Sequence, residues 1–353
     1  MISDGRIADC PLEKIRCAHC GLIRFLEPLS AAAVMAIYAT NYGLPSVVGV
    51  GEDKRGEAYA NVVGSMIEAR SDIERVLDVG CGTGSMLRFL VAEKPNIQAV
   101  GVDPARSEKI SRITDNLTLL SGDADTALDE AALFDVVVSI NTIEHTADPF
   151  EFLVALRRRV RSGGQIIVIC PASEPANCEL LFYDHLWTFS PEALARIANR
   201  INLSVRVHRL LEAPLTGFQM FVLGSGQPAS ASSQTEVRAD AAVAYLKAWQ
   251  SLDGVLGAAL NNAGGKVQMF GAGQMAALLR AYAPRAFSRV SRLVLDRPEE
   301  AWPLGRIEAY KPQEHSKGWV TLVGVHPSVQ DAVADRIRRD GGVAITFPAE
   351  IRT

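Results

Sequence analysis

The sequence predicts an α/β chain: a central, mostly parallel sheet with helices on both faces, preceded by a small cysteine-containing region and followed by a second, smaller α/β domain. Strand-sized apolar runs alternate with helix-length segments from residue 46 to 224, the pattern of βαβ units. Two glycine turns, one ending at Gly84 and one at Gly273, each follow such a run and open an apolar helical pattern. Between them Ser225 to Thr235 reads SGQPASASSQT, small and polar and broken by proline, as a linker is.

The elements follow in order. Residues 1–45 hold the knuckle Cys17-Ala18-His19-Cys20-Gly21 and a helical segment from Leu29 to Ala39. Residues 46–224 carry expected strands at Arg75–Val79, Gln98–Val102, Leu117–Leu120, Asp135–Ile140, Gln165–Cys170 and Phe218–Leu223. Ser190-Pro191 marks a helix start, a capping hydroxyl followed by proline in the first helical position. Residues 225–262 read as linker and helix, with Val237, Leu246, Leu252, Val255 and Leu256 at helical spacing. The second domain, 263–353, has expected strands at Lys266–Phe270, Arg292–Leu295 and Trp319–Val323, and a helix over Met275–Tyr282.

Composition bounds the function. A chain of 353 residues has room for about two domains with cores of their own. Its 36 basic and 40 acidic residues leave a net charge of −4, which provides no electrostatic case for nucleic acid. No apolar run reaches transmembrane length. The start, MISDGRIADC, has charges and no apolar core, so no secretory signal or membrane insertion is expected and a cytoplasmic location is the default. In a reducing compartment the Cys17/Cys20 spacing reads as metal or redox chemistry before a disulfide.

Val76-Leu77-Asp78-Val79-Gly80-Cys81-Gly82-Thr83-Gly84-Ser85 is the most informative run. A strand delivers the chain to three alternating glycines and a helix N-terminus, which together let backbone N–H groups approach a ligand. The dinucleotide pattern GxGxxG fails, because its third position is Ser85 counted from Gly80 and Leu87 counted from Gly82. A Walker loop is absent as well. What stands here, an acid two residues before GxGxG, resembles motif I of the class I S-adenosylmethionine-dependent methyltransferases. The resemblance covers about residues 70–172. It implies a Rossmann-like methyltransferase sheet and S-adenosyl-L-methionine as cofactor, with Gly80, Cys81, Gly82 and Gly84 along it and Asp78 toward its ammonium. It also implies Asp103 and the adjoining Pro104 at the ribose, Asp123 and Ala124 at the adenine, and Asn141 at the exit of the fourth strand. Asp103 ends the second strand 23 residues after Gly80, where an acid in dinucleotide folds takes the ribose hydroxyls. An acid after a strand is also a common turn former or helix cap, and that reading stays beside the functional one.

The acceptor side begins at Asn141-Thr142-Ile143-Glu144-His145 and continues at Tyr183-Asp184-His185, ahead of Phe189-Ser190. His145 reads as a base, a pocket wall or a cap; His185 as a base in a lid or a structural loop histidine. The order cysteine knuckle, methyltransferase core, second Rossmann-like domain resembles the three-part sugar C-methyltransferases, which act on nucleotide-linked deoxy sugars. In that family the loop commonly reads Tyr-Glu-His, so this chain departs at Asp184. The resemblance implies a small-molecule acceptor, a nucleotide-linked sugar, with His185 as base, Asp184 its orienter, Tyr183 at the substrate and an N-terminal tyrosine, here Tyr42, lining the site. O- or N-methylation of a sugar or another metabolite by the same scaffold is the alternative, and a non-catalytic cofactor-binding module is the alternative of another class.

Two motifs remain. Cys17 and Cys20 are half of a structural zinc site, with Cys10 a third candidate ligand; a metal-free knuckle turn is the other reading. Phe270-Gly271-Ala272-Gly273-Gln274-Met275-Ala276 fits GxGxxA, with Asp296 23 residues after Gly273. Gly271, Gly273 and Asp296 read as a docking place for the nucleotide end of the substrate, ahead of an architectural turn and of a nicotinamide site.

Overall fold

The computed structural model describes residues 1–8, 10–39, 52–68, 72–226, 239–298, 304, 307–312 and 318–352. Tyr42 and most of the expected linker lie outside them. In chain order the elements are β1 (Lys14–Arg16), β2 (Ile23–Phe25), α1 (Ala31–Ala39), α2 (Glu52–Glu68), β3 (Arg75–Val79), α3 (Ser85–Glu93), β4 (Gln98–Asp103), β5 (Ile110–Thr114), β6 (Leu117–Ser121), β7 (Phe134–Ile140), α4 (Pro149–Arg159), β8 (Val160–Pro171) and β9 (Trp187–Thr188). They continue as α5 (Pro191–Arg200), β10 (Ser204–Leu210), β11 (Phe218–Gly224), α6 (Ala239–Ala263), β12 (Lys266–Phe270), α7 (Gln274–Tyr282), α8 (Pro284–Phe287), β13 (Val290–Val294), β14 (Ala309–Tyr310), β15 (Trp319–Val323), α9 (Pro327–Arg339) and β16 (Val343–Ile345).

The eight-stranded sheet runs β10-β11-β8-β7-β3-β4-β6-β5. Its five central strands, β8, β7, β3, β4 and β6, are parallel; β5 and β11 pair antiparallel to their neighbours. Chain order reverses at β3, and the carboxyl end of such a strand is where open α/β sheets bind ligands. Strands buried on both faces are largely apolar, as β7 and β11 are apart from Asp135, Ser139 and Gln219. The strands that sequence reading omits, β5 and β10, are edge strands. Alternating polar residues give β5 its half-exposed pattern and mask it as loop.

The C-terminal sheet is all parallel in the order β14-β13-β12-β15-β16, again with its reversal at the strand preceding a glycine turn. The helix expected beside the linker is α6, and its Tyr245, Trp249, Leu252, Leu256 and Leu260 bury against this domain. That same core takes in Leu180, Leu181 and Phe182 of the segment leading to His185. A third sheet, β1-β2-β9, joins the N-terminal hairpin to the two residues that follow this segment by the pairs Ile23↔Thr188 and Arg24↔Trp187. The His185 loop is thus clamped by all three parts of the chain.

Candidate active site

The glycine loop owes its shape to positive φ at Gly80 (84°), Gly82 (54°) and Gly84 (78°). At Gly80 a side chain is excluded twice, since a Cβ would also lie 2.1 Å from the Thr142 hydroxyl. The loop is tied to β4: Gly80 and Cys81 donate to the Val102 carbonyl at 2.8 and 3.1 Å, and Gly82 N donates to Asp103 Oδ2 at 2.8 Å. Asp103 Oδ1 accepts from Ala105 N, beyond Pro104, at 2.8 Å. The expected ribose acid therefore organises the loop itself, with lone pairs left on both oxygens.

Asp78 is buried, and its Oδ1 has no hydrogen-bond partner among the described residues. Burial, with Asp103 adding to it, pushes its carboxyl up to about 8. Asn141, at φ 49°, donates from Nδ2 to the Tyr59 hydroxyl at 2.9 Å and leaves its buried Oδ1 unpaired. Two orphaned acceptors at the ends of β3 and β7 suit a ligand that brings donors, an ammonium above all. Asp123 is exposed and closes a turn, its Oδ1 accepting from Asp125 N, Thr126 N and the Thr126 hydroxyl; Ala124 is buried beneath it. The turn-former reading of Asp123 is realised, and its other oxygen stays out of these bonds.

Beyond Thr142 the chain reaches a buried acid–base cluster. Glu144 is fully buried with neither carboxylate oxygen paired, and burial raises its carboxyl well above the usual range. His145 Nδ1 lies 2.9 Å from the Asp184 carbonyl. A carbonyl only accepts, so Nδ1 carries the proton and Nε2 is bare. The His145 and His185 rings meet edge to face at 4.6 Å. Burial holds His185 well below the ordinary histidine range, and His145 and Lys14 push it the same way.

Asp184 was expected to orient His185. Its carboxylate instead accepts from Ser3 N at 2.8 Å and from the Ser3 hydroxyl at 2.5 Å, and faces His145 Nδ1 at 3.6 Å. The group beside His185 Nδ1 is Glu179 Oε2, at 3.2 Å. Asp184 lies in a turn with Tyr183 and its carboxylate is taken up by Ser3, so sequence adjacency does not pair it with His185. Glu179 is buried, and burial raises its carboxyl to about 7. Lys14 donates to the His185 carbonyl at 3.0 Å, and burial brings its amine down to about 7. Sequence reading missed Glu179 and Lys14. The only hint was Glu179 ahead of the apolar run Leu180-Leu181-Phe182; Lys14, between Glu13 and Arg16, gave none.

The other expected sites separate. Tyr183 stacks edge to face on Phe25 at 5.2 Å, and Cys10 sits against Tyr183. Cys17 and Cys20 interact with each other in the knuckle. Among the described residues no three of His, Cys, Asp and Glu gather around that pair; the one such group is Glu144, His145 and His185. In the C-terminal domain Asp296 pairs with Arg336 at 3.1 Å. A Cβ on Gly271 would strike Gly324, whereas nothing lies within 4 Å of one on Gly273.

Residues 52–208 match the family model described as a methyltransferase domain. This segment is similar to methyltransferase domains. Among curated relatives, the ubiquinone biosynthesis O-methyltransferase of Roseobacter denitrificans is 31% identical over 96 residues, 26% of this chain and 38% of that protein. An uncharacterized 37.1 kDa protein in a transposon of Streptomyces fradiae is 32% identical over 117 residues, 31% of this chain and 34% of that one. The chain thus spans little more than a third of the length of these relatives. Among solved structures, the 1,6-didemethyltoxoflavin-N1-methyltransferase of Burkholderia thailandensis is 16% identical, covers 60% of this chain and 97% of its own, and superposes with a TM-score of 0.43. The matched segment carries the glycine loop after β3 and the Glu144, His145 and His185 cluster; the N-terminal hairpin and the C-terminal core pack against the segment leading to His185.

Proposed function

We propose that this chain transfers a methyl group from S-adenosyl-L-methionine to a carbon beside a ketone in a nucleotide-linked sugar, with His185 as base. The observation that carries this reading is the buried imidazole pair next to the glycine loop, held neutral by its surroundings. The residues fit the cofactor: Asp78 and Asn141 offer unpaired buried acceptors, and Asp103 keeps lone pairs at the end of β4. When bound, the cofactor supplies an electrophilic methyl group on a sulfonium.

The chain's own residues then have distinct tasks. A carbon acid next to a ketone must lose a proton before carbon can attack, and neutral His185 takes that proton on the nitrogen that faces away from Glu179. Glu179, 3.2 Å from the other ring nitrogen, favours the imidazolium as it forms. Lys14, bound to the His185 carbonyl, fixes the loop. Clamping by the hairpin and the C-terminal domain keeps water away from the reacting carbon. At the second glycine turn, the open space at Gly273 suits the nucleotide end of the substrate, while the Asp296–Arg336 pair competes with a nicotinamide ribose for that acid.

O-methylation is the second reading, favoured by relatives named as O-methyltransferases. Incubation with labelled cofactor and a panel of nucleotide-linked keto sugars decides between them by product mass and labelled position. Transfer to hydroxyls and never to carbon would replace the first reading by the second.

A further inference from the structure

We infer that Glu144, His145 and His185 form a binding site for one divalent transition-metal ion, which occupies the cluster in competition with its use as a base. One ligand atom from each lies within 4.8 Å of the others. Two imidazoles and a carboxylate are a donor set suited to zinc, iron(II) and cobalt(II) rather than to magnesium or calcium.

Two features point inward to such an ion. Glu144 is fully buried and both its oxygens lack partners among the described residues. A buried carboxylate in that position either keeps a proton or meets a cation. His145 also has a neighbour of the kind that orients a metal-bound histidine, the Asp184 carbonyl at Nδ1, 2.9 Å, which leaves Nε2 bare. Glu179 Oε2 stands 3.2 Å from His185 Nδ1 without a hydrogen bond to it. Tetrahedral zinc with bonds of about 2.0–2.1 Å sets ligand atoms about 3.4 Å apart, so no edge of the group need close by more than about 1.4 Å.

The two uses of His185 exclude each other, because a lone pair bound to a metal cannot accept a proton. The competitive half of the inference rests on the methyl-transfer reading; the binding half does not. Binding is therefore tested without any acceptor. The Cys17 and Cys20 thiols would bind the same ions, so the full chain carrying Cys17→Ser and Cys20→Ser is stripped with chelator and titrated with Co²⁺. The expected result is one equivalent bound, with weak visible d–d bands and no thiolate charge-transfer band. Glu144→Gln in this background should weaken Co²⁺ binding at least 100-fold, while melting temperature and S-adenosylhomocysteine binding show that the protein is folded. His185→Ala serves as a second variant with the same expectation. Absence of the bands, or unchanged affinity in both folded variants, overturns the site. Zn²⁺ should then slow methyl transfer in the same Cys17→Ser, Cys20→Ser protein. Co²⁺ binding in a protein that methylates no acceptor would remove the proposed function and leave the metal site standing.

Discussion

His185 Nδ1 lies 3.2 Å from Glu179 Oε2, while the carboxylate of Asp184, the residue next to it in the chain, is turned toward Ser3 and His145. The acid beside this imidazole is six residues away rather than one. His185→Ala should lower turnover by about 10²–10⁴-fold with cofactor affinity nearly intact. Glu179→Gln keeps an acceptor beside the ring but removes the charge, so turnover should fall about tenfold, the equivalent of one unit in imidazole basicity. Asp184→Asn should mainly lower the melting temperature. Steady-state kinetics and melting curves on the three variants check this, and a larger kcat loss in Asp184→Asn than in Glu179→Gln would restore the sequence-based pairing.

The pH dependence follows from the same burial. A base must be unprotonated, and His185 is held well below 6.5, so kcat should stay level through pH 6.5 and fall only at lower pH. Stability behaves differently. The unfolded chain takes up protons on His145 and His185 near pH 6.5 and the folded protein does not, so these groups make stability decline as pH drops below that value. Thermal melts between pH 5 and 8, compared with His145→Gln, measure the contribution.

Asp78, raised to about 8 by burial, holds a proton at neutral pH in the free protein. Pairing with a ligand ammonium requires the carboxylate, so S-adenosylhomocysteine binding should release a proton at pH 7. Affinity should rise with pH toward 8, by up to about tenfold per unit below the midpoint. Calorimetry in buffers of different ionisation enthalpy reads the proton directly. Equal release from Asp78→Asn protein would assign it elsewhere.

Asp103 accepts from Gly82 N and Ala105 N and still has lone pairs for a ligand. Asp103→Ala should weaken S-adenosylhomocysteine binding by at least about 1.5–3 kcal/mol, the range for hydrogen bonds to a charged acceptor, and loosen the glycine loop as well. Unchanged affinity by calorimetry would remove Asp103 from the cofactor site.

The two glycines of the second turn should separate under substitution. Gly271 has φ 100° and no room for a Cβ against Gly324, so Gly271→Ala should lower the melting temperature. Gly273 has open space, so Gly273→Leu should leave stability near normal and weaken binding of a nucleotide-linked sugar. Normal sugar binding in Gly273→Leu would leave the turn a purely architectural feature.

Sequence alone determined the central sheet and the cofactor end. Buried parallel strands demand unbroken apolar runs, and a loop that must turn with positive φ demands glycine, so Arg75–Val79 and Gly80–Gly84 are legible from residue type and spacing. Ser190-Pro191 was equally legible, because a helix cap is a local bond, here Ser190 Oγ accepting from Ala193 N at 3.0 Å. The edge strands β5 and β10 were not, since half-exposed polar alternation resembles loop. The acid–base cluster was decided only by tertiary structure. Lys14, Glu144 and the Glu179–His185 stretch come from three separate segments, and their charges depend on burial among one another. The Asp184 carboxylate faces Ser3 because the N-terminal residues and the C-terminal core pack against this loop; no spacing in the sequence encodes a contact made through other parts of the chain.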